Sequence, residues 1–147
     1  MYDLNKLKGS YKGNIAECMF KLTSDKIIIN KFFNKNKFME IFSKYLTNDQ
    51  IEFINNNWYS IDAVEFNQKE KVLYEIKSKK AIYANKTQWP LKITKNTFDL
   101  YSRSKKVGFI PKVAIVWFHQ DWKYDIEIKQ FESVHWSIDK PKKWDKK

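Results

Sequence analysis

The sequence predicts an α/β domain, a mixed β-sheet flanked by helices. Two patterns carry that expectation. Apolar residues recur at spacings of three and four in some segments, and β-branched or aromatic runs fill others. Along the chain the order is helix, strand, helical insertion, strand, strand, helix, strand, strand. The 147 residues, 43% hydrophobic and 17% aromatic, suit a single domain over 1–147 with a substantial core.

Residues 1–10 are basic and weakly patterned, and read as an N-terminal arm. Tyr11 to Thr23 reads as a helix with Ile15, Cys18, Met19 and Leu22 near one face and Glu17 close beside it. Cys18 is expected to be a small core residue. Lys26 to Phe33, "KIIINKFF", reads as a strand. Residues 34–57 form a helical insertion. Phe38, Ile41, Phe42, Tyr45 and Leu46 recur at helix spacing, and Thr47 to Gln50 resembles a capping box before Ile51, Phe53 and Ile54.

Trp58 to Phe66 reads as the next strand, with Ser60, Asp62, Val64 and Phe66 on one face. After a turn, Val72 to Ser78 returns with Leu73, Glu75 and Lys77 on one face. Thr94 caps a helix that carries Phe98 and Tyr101 inward and stops at Gly108. "KVAIVWF" is a strongly apolar, central strand, and "YDIEIKQF" a final one. Residues 138–147 read as a basic tail.

The net charge of +11 comes from 28 basic and 17 acidic residues, with Arg103 the single arginine. The richness in Lys, Asn and Ile points to A/T-rich coding. That bias also feeds acidic codons, so it does not by itself make a positive excess. The excess points to a polyanion partner. One cysteine excludes an internal disulfide, and with only His119 and His135 beside it a structural zinc site is not expected. No signal-peptide pattern and no run approaching ~18 apolar residues is present, so a soluble cytoplasmic protein with no membrane partner is expected.

Asp62, Glu75 and Lys77 stand in segments that otherwise read as buried strands. A charge there costs free energy unless something pairs it. Either these residues form a solvated face or they hold a metal. Mg²⁺ takes oxygen ligands, commonly one or two carboxylates with phosphate and water. Asp62, Glu75 and the Ile76 carbonyl offer such ligands, Lys77 could orient a water and meet phosphate charge, and Glu17 could close the site. A similar set, Asp125, Glu127 and Lys129, reads as a solvated face of the last strand. Lys6, Lys8, Lys12, Lys79, Lys80 and Lys86 flank the first set and are candidates for phosphate contact. Trp58, Tyr59, Trp89, Trp117 and Trp122 could stack on bases, but strand cores account for most of them.

"KGSYKGNIAECMF", "IDAVEF" and "LYEIKSKK", in that order, resemble the PD-(D/E)XK nuclease superfamily, most of all the archaeal Holliday-junction resolvases. Glu17, Asp62, Glu75 and Lys77 match the helix Glu, the strand Asp and the Glu-x-Lys of that pattern. Ser10, in "KGS", joins the lysines as an implied DNA contact. "ITKNTFDLYSRSKKVG" is similar to the helix after the motif, and "KVAIVWF" to the next strand. The likeness spans roughly 8–131. Ile61 stands where the family often has Pro, and the 34–57 insertion is longer and more helical than in such resolvases.

The resemblance implies a restriction-endonuclease-like core and a metal-dependent DNA endonuclease. It would use Mg²⁺ or Mn²⁺, act on branched DNA as a homodimer, and come from a prokaryotic, archaeal or viral source. Asp62, Glu75 and the Ile76 carbonyl would hold the metal, Lys77 would activate water, and Glu17 would bind a second metal or orient a water. Two alternatives stay open: a restriction-like or repair nuclease on linear or flap DNA, and a non-catalytic nucleic-acid-binding module. The interface of the expected dimer would draw on Phe109, Ile110 and Trp117.

Overall fold

A computed structural model describes residues 9–67, 69–80, 90–119 and 123–139, with the backbone alone for 9–12. It is α/β. Helix α1 (Gly9–Lys21) leads to a two-residue strand β1 (Ile28–Ile29). Helices α2 (Lys35–Phe42) and α3 (Asn48–Asn57) follow, then strands β2 (Ala63–Phe66) and β3 (Lys71–Lys80). Strand β4 (Leu91–Thr94), helix α4 (Lys95–Lys106) and strands β5 (Ile110–Phe118), β6 (Tyr124–Gln130) and β7 (Trp136–Asp139) complete the order. Five strands make a mixed sheet in the order β1-β2-β3-β5-β6. The β3–β5 pair is parallel and the other pairs are antiparallel. Strands β4 and β7 pair in parallel as a second, small sheet.

The period of two along β3 sorts the core. Val72, Tyr74 and Ile76 face α1, where Ala16 and Phe20 are buried with Ala63, Ala114, Val116 and Phe118. Leu73 points the other way, into the larger cluster of Val64, Val113, Ile115 and Trp117. Phe38 of α2, Phe53 and Ile54 of α3, and Leu100 and Tyr101 of α4 cover that second face. Glu75 and Lys77 share the parity of Leu73, so they share its face. Helices therefore flank the sheet on both sides.

Side-chain chemistry sets several helix limits. Thr47 and Gln50 form a reciprocal capping box at α3, and the Thr94 side chain accepts from the Thr97 N–H at the start of α4. Gly108, just past α4, has φ +99°, a conformation that only glycine adopts without strain.

The structure corrects several expectations. The strand expected over 26–33 shortens to Ile28–Ile29. Buried Asn30 donates from Nδ2 to the Trp58 carbonyl at 2.9 Å, and a 3-10 turn over Asn30–Phe32 leads the chain out of the sheet. The strand expected from Trp58 starts only at Ala63, because Trp58–Ser60 form another 3-10 turn. Helix α1 begins at Gly9, so the last two residues of the expected arm are helical, and residues 1–8 lie outside the described residues. The helix ends at Lys21, which leaves Leu22 80% exposed.

Further along the chain, Cys18 is exposed and not part of the core. Phe109 and Trp117 are buried in the core of one chain, so they are not available to a dimer interface. Strand β6 is not the last strand: Ile138 and Asp139, expected in the tail, belong to β7, and 140–147 lie outside the described residues. Among the described residues, no helix is long and apolar enough to cross a membrane.

Candidate active site

Strands β2 and β3 run antiparallel with Ala63 opposite Tyr74 and Val64 opposite Leu73. Continuing that register by one residue sets Asp62 opposite Glu75, at the point where the ladder opens. Two bonds hold Asp62 there. Its backbone carbonyl accepts from the Asn30 N–H at 3.1 Å, and its Oδ2 accepts from the Ile76 N–H at 2.8 Å. The side chain thus satisfies a β3 amide beyond the last paired residue. Glu75 is 7% exposed, and its Oε2 lies 3.1 Å from Lys77 Nζ. Asp62, Glu75 and Lys77 form one cluster on one sheet face.

The electrostatics show how close the two acids are. Burial, then the Glu75 charge, pushes the Asp62 carboxyl up to about 8 from an ordinary value of 3.8. The Glu17 charge adds to the rise; the Ile76 amide and Lys77 oppose it without cancelling it. Two carboxylates that repel so strongly are a familiar mark of a site built for a cation or a proton.

Glu17 sits on α1, mostly buried. Its Oε1 pairs with Lys31 Nζ but is otherwise buried without a hydrogen-bond donor. Lys31, which also donates to Asn14 Oδ1 at 2.7 Å, was not singled out in the sequence. It lies in the turn after β1, where a long-range pairing with α1 leaves no local signal. Glu17 is thus near enough to act on Asp62 through its charge, while a lysine engages its own carboxylate.

The donor set fits a hard divalent cation. Asp62 keeps Oδ1 beside its bonded Oδ2, Glu75 stands across from it, and the Ile76 carbonyl belongs to the same turn of strand. Two carboxylates and a carbonyl match the few protein oxygens that Mg²⁺ takes. Among the described residues, no three His, Cys, Asp or Glu side chains stand close enough to hold a metal together. A cation would therefore rest on the Asp62–Glu75 pair, with Glu17 outside direct reach in this arrangement.

Tyr101 of α4 is a residue that sequence reading took for core alone. It is fully buried, and its hydroxyl donates to the Tyr74 carbonyl at 2.8 Å, one residue before Glu75. Burial, with the Glu75 and Asp62 charges next, raises this phenol well above its ordinary range. The available signal was the polar tip: a buried tyrosine hydroxyl needs a partner.

The other candidates are scattered. Lys79 and Lys80 extend β3 beyond Lys77, half-buried and exposed respectively. Ser10 and Lys12 lie on the first turns of α1, while Lys6, Lys8 and Lys86, with Trp89 and Trp122, fall outside the described residues. Trp58 is core, and Tyr59 is 78% exposed. Asp125, Glu127 and Lys129 are only part-exposed. Glu127 accepts from Trp117 Nε1 at 3.1 Å, and Asp125 lies 2.6 Å from His119 Nε2. That set is tied into its own side-chain pairs on β5 and β6. No protein-family model, curated protein or solved structure matches the chain.

Proposed function

We propose that this protein is a divalent-cation-dependent DNA endonuclease with a restriction-endonuclease-like core, nearest in motif order to the junction resolvases. The observation that supports this reading most is the Asp62–Glu75 pair at the open end of the β2–β3 ladder, with Lys77 on the same face. Burial and the facing Glu75 charge disfavour the ionised form of Asp62 there. Two buried carboxylates that face each other cost free energy unless a cation or a proton stands between them.

Bound at Asp62, Glu75 and the Ile76 carbonyl, Mg²⁺ or Mn²⁺ would polarise the scissile phosphate and ease deprotonation of water. Lys77 would leave its pairing with Glu75 to orient the attacking water and meet the developing phosphate charge. Glu17, freed from Lys31, would order a further water. Phosphodiester hydrolysis needs this combination of charge neutralisation and an aligned nucleophile. Lys79 shares the parity of Lys77 on β3 and so its face, in line to follow a phosphate backbone, while Lys80 has the parity of the opposite face. Paired incision of a four-way junction calls for two sites, so a symmetric homodimer is part of the proposal.

The experiment is cleavage of end-labelled four-way junction, flap and linear duplex in Mg²⁺. Wild type should cut, and Glu75→Gln and Lys77→Ala should bind the same DNA without cutting it. Faster cutting of the junction supports the resolvase form. Equal rates on linear duplex favour a restriction-like or repair nuclease, and binding without cleavage of any substrate would leave a nucleic-acid-binding module.

A further inference from the structure

Tyr101 stands at the middle of α4 with none of its surface exposed. Its ring stacks on Phe131, centroids 5.2 Å apart at 27°. That contact accounts for the ring but not for the hydroxyl. The hydroxyl reaches across to the sheet and donates to the Tyr74 carbonyl at 2.8 Å. The same hydroxyl is near enough to Glu75 and Asp62 for both of their charges to act on it. A single buried phenol thus ties α4 to β3 one residue before Glu75, beside both acids.

We infer that Tyr101 is a positioning residue for the Asp62–Glu75 carboxylate pair, holding β3 at the residue before Glu75 through one buried hydroxyl that ties α4 to the strand. The inference rests on the reading of those two acids as a cation site. Beyond Ala63 the β2–β3 ladder no longer fixes the distance between strands. Asp62 has its Ile76 amide, and Glu75 has a part-exposed lysine, Lys77, as a flexible partner. A tyrosine hydroxyl has one proton to give and two lone pairs. With that proton held by the Tyr74 carbonyl, the β3 backbone beside Glu75 stays in place when Lys77 swings toward substrate. Glu75 would then keep its orientation while Lys77 acts. Groups that hold ligating carboxylates in this way typically account for about 10–100-fold in metal affinity or activity.

The test is Mn²⁺ binding by calorimetry, without DNA, to the full chain. Tyr101→Phe keeps the ring on Phe131 and removes only the oxygen. Phe131→Leu loosens the ring and keeps the oxygen. Wild type should bind Mn²⁺, Tyr101→Phe should bind it about tenfold more weakly, and Phe131→Leu should bind it as wild type does. Equal affinity in wild type and Tyr101→Phe would overturn the inference while leaving the cation site standing. So would an equal loss in both variants, or a Tyr101→Phe chain that does not fold, since either would make the residue a support of the fold. No Mn²⁺ binding by wild type would instead remove the cation site itself, and the inference with it.

Discussion

Asp62→Asn should remove a loss of stability that the metal-free protein undergoes as pH rises, and the size of the effect follows from the site. The Asp62 carboxyl is held at about 8 in the folded chain against an ordinary 3.8. Between those values the folded state binds the proton and the unfolded state does not. Stability contributed by the neutral form is therefore fully present below the unfolded value and is lost as pH rises toward 8. At ~1.4 kcal/mol per unit, wild type should lose about 2 kcal/mol between pH 6 and pH 8 from this residue. Asparagine has no such titration, and its amide oxygen can still accept from the Ile76 N–H. The advantage of the variant over wild type should therefore grow by about 2 kcal/mol between pH 6 and pH 8, or roughly 4–8 °C in melting midpoint. Thermal melts in EDTA across this range measure it. Parallel pH profiles for the two proteins would refute the argument that Asp62 is charged at a cost.

Three other outcomes are expected. Gly108→Ala should lose about 2 kcal/mol in urea unfolding. Its φ is +99°, and the added carbon would come to 2.9 Å from Gln50 Nε2, displacing a side chain that also serves the α3 capping box. Phe38→Ala should lose about 3–5 kcal/mol in the same assay, because Phe38 is fully buried against Trp58, Phe42 and Phe66; a loss under 1 kcal/mol would show that 34–57 is not part of the core. DNA affinity measured by fluorescence anisotropy should fall steeply with salt, with a log–log slope of about −0.9 per phosphate contact. It should also depend little on sequence, since a chain with 28 basic residues and one arginine meets phosphate mostly as point charges.

Parts of the fold that depend on neighbouring residues were legible in the sequence. Thr94 and Gly108 mark the ends of α4, Thr47 and Gln50 mark the start of α3, and the short turn between β2 and β3 set Asp62 and Glu75 on one face. Features decided by distant partners were not legible. The apolar run after Lys26 has every local mark of a long strand, yet Asn30 finds the Trp58 carbonyl 28 residues away and turns the chain. Strands β4 and β7 are four residues each and pair in parallel across the whole of α4, β5 and β6. No period within either segment announces that contact. At the site, the order of Glu17, Asp62, Glu75 and Lys77 could be read along the chain. Lys31, which engages Glu17, could not, because nothing local distinguishes it from a surface lysine, and Tyr101 carries only the general signal that a buried hydroxyl needs a partner.

The proposed function has the Asp62–Glu75 pair serve a cation in cutting DNA. The most direct measurement is single-turnover cleavage of an end-labelled four-way junction by wild type and Asp62→Asn, each in Mg²⁺ and in EDTA. Asp62→Asn suits this purpose because losing the Asp62 titration is expected to make it the more stable protein at pH 8, so lost activity cannot be laid to unfolding. Wild type should cut in Mg²⁺ alone, and Asp62→Asn should bind the junction without cutting it in either condition. Cleavage by Asp62→Asn at the wild-type rate, or by wild type in EDTA, would contradict the account.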